Sequence, residues 1–306
     1  MTPGDDSQPP RRITPFEPAK FAAAASGFPF SDAAIAALVQ DALDEDVADH
    51  DITTVATVLA GHEARARLVA RTPGVVSGVP LALATFRLVD AEISIRVDAE
   101  DGTSVVGGAA VLFLSGRARG LLTAERTALN FLQRLSGIAT LTQQYVLAVA
   151  GTAAKIVDTR KTTPGWRALE KYAVRCGGGL NHRFSLADAV LIKDNHIAAV
   201  GGDIAETIRR VRAYAPAETP VQVECDSVEQ VRAAVAAEVE SVLLDNMSTD
   251  QLRECVAITR GHCVAEASGG VTLATVRAIA ETGVDRISVG ALTHSAPALN
   301  LALDFE

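Results

Sequence analysis

The sequence predicts an α/β protein in two parts: a small α+β module to about residue 115, then a parallel sheet closed or nearly closed as a barrel. Three observations lead there. Beyond about residue 150, short apolar strands alternate with helical segments, and the last four strands start 21, 21 and 23 residues apart. Before that point strands and helices mix without a regular period. No Gly-rich dinucleotide loop follows the first strand of the repeating half, which disfavours a doubly wound sheet, the competing topology.

Residues 1–20 hold five prolines and little apolar periodicity, so they read as a loose extension. Ser31 is placed to cap a one-sided helix with Ile35, Leu38, Val39, Ala42 and Leu43 on its apolar face, ending at Asp44-Glu45-Asp46. Residues 64–71 read as a strand, Pro73-Gly74 as a turn and 79–90 as a helix. Ile93, Ile95 and Val97 alternate, Asp101-Gly102 turns the chain, and Val111–Leu114 is another strand. A long helical stretch from about Leu121 to Leu135 carries Arg126 and Arg134, with a break expected near Gly137 and a second helix to Ala150. The later strands are Lys155–Asp158, Val190–Lys193, Val221–Glu224, Val242–Asp245, Cys263–Ala267 and Arg286–Val289. Helices at 227–237, 248–260 and 272–282 lie between the last of them.

The chain is 306 residues long, 48% apolar, 21% charged and 4% aromatic, which is a globular balance. Its net charge of −9 and few aromatics argue against a nucleic-acid partner. The four cysteines (Cys176, Cys225, Cys255, Cys263) form no C-x-x-C pair, so reduced thiols are expected rather than a zinc site or disulfides. No stretch is apolar enough to span a membrane. Arg11-Arg12 ahead of Ala22–Ala25 is broken up by Pro15, Glu17, Pro18 and Lys20, so no export signal is read and a cytoplasmic protein is expected.

What each late strand presents at its C-terminal end carries the chemistry. The ends are Thr159-Arg160-Lys161, Lys193-Asp194-Asn195, Glu224, Asp245, Ser268-Gly269-Gly270 and Ser288-Val289-Gly290. In a β/α barrel these converge on one face, where the active site sits. Residues 155–193 contain eight Lys/Arg against three acids, although the whole chain is negative. Arg167, Lys171 and Arg175 read as a solvated helix face. Arg160, Lys161 and Lys193 instead terminate apolar strands and are expected to point inward. Unit charges about 4 Å apart at an effective dielectric near 20 repel by roughly 4 kcal/mol, so the pocket should hold a multiply anionic ligand. The two glycine loops, each ahead of an expected helix, favour phosphate. Glu224 and Asp245 supply the negative counterpart, holding Mg²⁺ through water or facing a cation that develops in the transition state. Such a site suits displacement at a sugar carbon as pyrophosphate leaves. A barrel isomerase or aldolase using Lys161 or Lys193 as a Schiff base, and a non-catalytic binding protein, are the rival readings.

The motifs also carry a resemblance. Asp158-Thr159-Arg160-Lys161-Thr162-Thr163-Pro164-Gly165 followed by Arg167 resembles the DTRKTTPG signature of the quinolinate phosphoribosyltransferases. Gly177-Gly178-Gly179, Asn181-His182-Arg183 and Asp188 are similar to a second family segment, and Leu191 to His196 to its lysine strand. Glu125-Arg126-Thr127 with Leu129-Asn130, and Asp44-Glu45-Asp46 with Asp51-Ile52-Thr53-Thr54, resemble two more. The likeness runs from about residue 30 to the end.

The resemblance implies an incomplete, seven-stranded, open α/β barrel with an N-terminal α/β sandwich domain. Residues 1–20 would be a flexible tail, 21–130 joined by 292–306 the sandwich, and 131–291 the catalytic barrel. The implied reaction joins quinolinate to phosphoribosyl pyrophosphate, releasing CO₂ and pyrophosphate and forming nicotinate mononucleotide for NAD biosynthesis, with Mg²⁺ as cofactor. The enzyme would be a homodimer or higher oligomer, with Arg126 reaching quinolinate from the neighbouring subunit. Thr159, Arg160, His182, Arg183 and Lys193 would bind substrate, the last four clamping its carboxylates, while Lys161 contacts the ribose phosphate substrate. Glu224 and Asp245 would face the ribose and its metal, and Ser268, Gly269, Gly270, Ser288, Val289, Gly290 and His294 would take the 5′-phosphate. A relative acting on a monocarboxylate would lack part of this arginine set.

Overall fold

Ser31 accepts the Ala34 N–H and starts a helix over Asp32–Glu45, which buries Ile35, Val39 and Leu43. In the computed structural model residues 27–306 are described, and the expected tail over 1–20 lies outside them. The strands, in chain order, are β1 (Glu63–Ala70), β2 (Gly74–Val75), β3 (Ser94–Val97), β4 (Ser104–Val105), β5 (Ala110–Arg117), β6 (Lys155–Val157), β7 (Val190–Ile192), β8 (Val221–Cys225), β9 (Ser241–Asp245), β10 (Val264–Ser268), β11 (Arg286–Ser288) and β12 (Leu301–Phe305).

The N-terminal sheet runs β12-β1-β5-β3 and is antiparallel throughout. Its core joins Leu68, Leu112 and Leu114 to Phe86 of the helix Val79–Val89 and to Leu121, Leu129 and Leu132 of the helix Ala118–Ala148. The C-terminal residues therefore return to the sheet of the N-terminal half.

The helix Ala118–Ala148 is continuous for 31 residues, whereas the sequence suggests a break near Gly137. Gly137 is a contact point and not a hinge. A Cβ there would lie 2.1 Å from the Pro297 carbonyl oxygen and 3.0 Å from Ala298 Cα. The segment leading into β12 crosses the helix at that residue, and Leu299 N–H donates to the Gln133 carbonyl at 2.9 Å.

The second sheet is parallel, in the order β6-β11-β10-β9-β8-β7. It has six strands where seven are expected. Beside β6 there is only a single parallel bridge, Val157 to Leu180. Pairing stops there because the Asp158 carboxylate, rather than a backbone carbonyl, accepts the His182 N–H at 2.8 Å.

Register then sorts the side chains by face. Gln222 pairs with Ser241, Glu224 with Leu243, Ser268 with Asp245, Glu266 with Arg286, and Val157 with Ser288. Because alternate residues share a face, Glu224, Asp245, Ser268 and Ser288 lie on one side with Gln222, Glu266 and Arg286. The opposite side carries Val221, Val223, Cys225, Val242, Leu244, Ala265, Ala267 and Ile287, all in the buried core. One face of the sheet is thus apolar and packed, and the other is polar and builds the site.

Among the described residues no helix is long and apolar enough to cross a membrane. All four cysteines are free. Burial pushes the Cys225 thiol up to about 12 and Cys263 up to about 11, which disfavours the thiolate form.

Candidate active site

The site lies along the C-terminal edge of the polar face. Lys193 follows β7 and pairs with Glu224 of β8, Nζ to Oε2 at 2.8 Å. Asp245 ends β9, and its Oδ2 accepts from Asn246 Nδ2 at 2.8 Å. Asn246 N–H donates to the Ser268 carbonyl at 2.9 Å, tying the ends of β9 and β10 together. Asn246 itself sits at φ 54°, a left-handed conformation that Asn tolerates better than most residues.

The glycine loop after β10 fits closely around that asparagine. Gly269 has φ 93°, and a Cβ on it would lie 2.2 Å from Asn246 Oδ1 and 2.8 Å from Asn246 N. Among the described residues, neither Gly269 nor Gly270 donates its N–H to a backbone acceptor. The helix expected from about Thr272 begins only at Val276 and is five residues long. The helix after β11, Ala291–His294, has four residues. Helix dipoles therefore contribute little at these loops. Val289 N–H is taken by the Val157 carbonyl at 2.9 Å and is not available to a ligand.

Lys161 and His294 meet over the second loop. A Cβ on Gly290 would stand 3.2 Å from Lys161 Cδ and 3.1 Å from His294 Nε2. Thr159 Oγ1 accepts the Lys161 N–H at 3.1 Å, and Thr293 Oγ1 donates to the Lys161 carbonyl at 2.7 Å.

Arg160 and Arg183 form the cationic centre. Arg183 is buried, and its Nη1 donates to the Ala189 carbonyl at 2.9 Å. Arg160 is partly buried, and its Nε, fully enclosed, has no acceptor among the described residues. Burial, and after it the neighbouring Arg160 charge, hold the Arg183 guanidinium below its ordinary value. Of the three strand-end cations expected to point inward, Arg160 is partly buried and the two lysines are not. Lys161 and Lys193 are exposed, the first at the mouth of the site and the second held there by Glu224.

His182 is committed at both ring nitrogens. Nδ1 accepts the Arg183 N–H at 2.8 Å, so Nε2 carries the proton and donates to Gln222 Oε1 at 2.9 Å. Gln222 Nε2 in turn donates to Glu266 at 3.1 Å. This lower layer borders a cavity of about 30 Å³, lined by Asn181, His182, Arg183, Gln222 and Arg286 among others. It reaches from Arg183 and His182 down to the N-terminal ends of β7, β8, β9 and β11, at Val190, Pro220, Ser241 and Arg286.

Arg126 lies elsewhere. It is exposed on the helix Ala118–Ala148 and makes no ion pair or hydrogen bond among the described residues.

The helix Arg167–Cys176 is not the solvated face its charges suggest. Lys171 is fully buried against Asp158, and Arg175 donates to Asn181 Oδ1 at 2.9 Å while lying over Tyr172. Burial pushes the Asp158 carboxyl up and the Lys171 ammonium down, each charge offsetting part of the other's desolvation. Glu170 is equally buried and pairs with Arg134 at 2.6 Å. Sequence reasoning gave neither Glu170 nor Arg134 a role. A signal existed, because Glu170 and Lys171 sit between the apolar residues Leu169, Ala173 and Val174.

The candidate site has relatives. The family described as quinolinate phosphoribosyl transferase, C-terminal domain, matches residues 138–304, and its N-terminal-domain counterpart matches residues 51–136. The nicotinate-nucleotide pyrophosphorylase (carboxylating) of Mycobacterium leprae (strain TN) is 49% identical over 272 residues, covering 87% of this chain and 95% of that protein. A probable enzyme of the same name from Synechocystis is 44% identical over 268 residues, covering 87% and 90%. The solved nicotinate-nucleotide pyrophosphorylase of Francisella tularensis superposes with a TM-score of 0.85 at 38% identity, covering 90% of this chain and 98% of that one.

Proposed function

The chain belongs to the quinolinate phosphoribosyltransferase family, and from that premise we propose how its residues divide the work. The reaction is the family's: phosphoribosyl transfer from phosphoribosyl pyrophosphate to quinolinate with decarboxylation, giving nicotinate mononucleotide in NAD biosynthesis.

The observation that carries the assignment of residues is the pair Arg160 and Arg183. Two guanidiniums lie close together, one with an enclosed Nε that has no acceptor among the described residues. A pyridine dicarboxylate supplies the missing acceptors, and the Arg fork suits a carboxylate. Arg160 and Arg183 clamp the two carboxylates, with Thr159 and Lys193 at the rim and His182, fixed through Gln222, setting the position of the segment that carries Arg183. Lys161, His294 and Gly290 take the phosphorylated sugar on one side, and the open N–H groups of Gly269 and Gly270 take its 5′-phosphate on the other. Ser268 and Ser288 close those loops, and Val289 contributes packing rather than a donor.

Glu224 and Asp245 share a face at the ends of neighbouring strands, where they stabilise positive charge on the ribose as pyrophosphate departs. Among the described residues no group of three or more His, Cys, Asp or Glu could hold a metal ion unaided. One or two carboxylates beside a pyrophosphate are nevertheless the donor set Mg²⁺ prefers, so Glu224 and Asp245 fit it. When bound, Mg²⁺ would neutralise charge on the leaving pyrophosphate. Once the ring nitrogen is bonded to the sugar it is cationic and stabilises the carbanion left by the 2-carboxylate. That step needs no general base; the site orients the dianion, and after CO₂ leaves the carbanion takes a proton at C2, supplied by solvent.

The exposed Arg126, unpartnered among the described residues, fits a shared site in a homodimer or larger assembly, in which it reaches the quinolinate of the neighbouring subunit. The polar-faced sheet fits an open barrel in which the Leu180 segment stands as the seventh strand. The division into 21–130 with 292–306, and 131–291, and a cytoplasmic location go with this reading.

The test is CO₂ release by the purified full chain given quinolinate, phosphoribosyl pyrophosphate and Mg²⁺. Turnover with quinolinate is expected. No CO₂ from quinolinate alongside pyrophosphate release with nicotinate, which loses no carboxylate, would transfer the assignment to a monocarboxylate enzyme.

A further inference from the structure

We propose that Glu170 and Lys171 are a pair of positioning residues, one for each substrate, set back to back on the helix Arg167–Cys176. The proposal rests on the division of subsites given above. Successive residues on a helix point about 100° apart, so these two opposite charges cannot pair with each other. Both are nonetheless removed from water, Glu170 at 0% and Lys171 at 1% exposure, and each must find its partner on another element. The partners lie in different halves of the site.

Glu170 serves the sugar-phosphate half. Its Oε1 accepts from Arg134 Nη2 at 2.6 Å and from Thr163 Oγ1 at 2.9 Å, and its Oε2 accepts the Thr163 N–H at 3.1 Å. Arg134 Nη2 also donates to the Thr293 carbonyl. Thr293 Oγ1 donates to the Lys161 carbonyl at 2.7 Å, which closes a ring Glu170–Thr163–Lys161–Thr293–Arg134. The ring fixes the backbone of Lys161 and of the turn bearing His294, the two side chains that meet over Gly290. Trp166 stacks on Phe131 of the long helix, centroids 5.5 Å apart, and anchors the far end of the same loop.

Lys171 serves the quinolinate half. Its Nζ donates to Asp158 Oδ1 and, at 3.1 Å, to the His182 carbonyl. Asp158 accepts the His182 N–H at 2.8 Å and Asn181 Nδ2 at 2.7 Å. These bonds hold the segment that ends in Arg183; they meet the Lys161 side at Asp158, three residues before it, and not in the ring around Glu170.

The experiment measures KM for each substrate, with the other saturating, together with kcat and thermal stability, in the full-length protein. Glu170→Gln places an amide donor among three donors while keeping the shape. It is expected to raise KM for phosphoribosyl pyrophosphate about tenfold or more and to shift KM for quinolinate less than about twofold. Lys171→Met is expected to do the reverse. Thr163→Val, which removes one bond to Glu170, and Asn181→Ala, which removes the bonds to Asp158, the Lys171 carbonyl and Arg175, give the same split in milder form if a buried-charge variant fails to fold. Parallel shifts in both KM values, or lowered stability with both KM values intact, overturn the proposal. A wild type that turns over neither substrate instead sinks the reaction assignment, and the proposal with it, a result distinct from parallel shifts in active variants.

Discussion

Replacing Gly269 by Ala tests the phosphate loop and its coupling to Asp245 in one step. The residue sits at φ 93°, where an L side chain is strained by about 1–2 kcal/mol. The added methyl would lie 2.2 Å from Asn246 Oδ1 and 2.8 Å from Asn246 N. The carboxamide can rotate away, but the backbone nitrogen cannot, so the junction between β9 and β10 must open. Two bonds are exposed to that movement: Asn246 N–H to the Ser268 carbonyl at 2.9 Å, and Asn246 Nδ2 to Asp245 Oδ2 at 2.8 Å. A hydrogen bond to a charged group is worth about 1.5–3 kcal/mol, which corresponds to a roughly 10–100-fold change in an equilibrium. Initial rates with phosphoribosyl pyrophosphate varied and quinolinate saturating should show a KM raised within that range. KM for quinolinate should stay near the wild-type value, because Arg160 and Arg183 lie on other strand ends. A variant with unchanged KM for phosphoribosyl pyrophosphate and unchanged stability would refute both the close approach and the role of the loop.

Other perturbations separate the remaining parts. Gly137→Ala, which in an open helix would stabilise by about 1 kcal/mol, should instead destabilise by about 1–3 kcal/mol because the methyl meets the Pro297 carbonyl at 2.1 Å; a urea midpoint at or above wild type would contradict the contact. Arg160→Ala and Arg183→Ala should each weaken quinolinate binding by about 1.5–3 kcal/mol, read by calorimetry, and undiminished binding removes that residue from the clamp. Subunits carrying Arg126→Ala mixed with subunits carrying Lys161→Ala should regain partial activity, since each mixed dimer assembles one intact site; no recovery argues against a shared site. Among the carboxyls held below their ordinary value are Asp51, by Thr54, Asp90, by Arg117, and Asp188, by Ser185. Depressed folded values mean that their stabilisation is fully present above about pH 4 and lost as pH falls through them. Urea midpoints should therefore decline below about pH 4, with a smaller decline in Asp51→Asn; identical acid profiles for that variant and the wild type would remove Asp51 from the account.

The fold was legible where sequence period and burial agree. In Val221–Cys225 the alternation Val-Gln-Val-Glu-Cys already separates a packed face from a polar one, and Val264–Ser268 repeats it with Glu266 and Ser268. Strand ends ionic in composition pointed to the site for the same reason. Charge alone did not reveal depth. Lys161 and Lys193 end apolar strands yet are exposed, because the strand ends open at the mouth of the site, where Lys193 pairs with Glu224. Lys171 reads as solvated but is buried, because its partner Asp158 lies 13 positions away and no local pattern announces it. Gly137 was misjudged for a related reason: its role is set by Pro297, far along the chain. The seventh strand was expected from family likeness, and a side-chain carboxylate stands where its next backbone bond would be.

The position of β12 bears on how the molecule is made. Its residues pair with Ala66 through Ala70, and Asp304 forms an ion pair with Arg71, a partner 233 positions earlier. A ribosome releases β1 early and β12 only after the whole parallel sheet has emerged. Until then one edge of β1 is unpaired, a template for any stray strand nearby. The nascent chain therefore spends nearly its entire synthesis with an open seam, and the last strand to appear is the one that seals it.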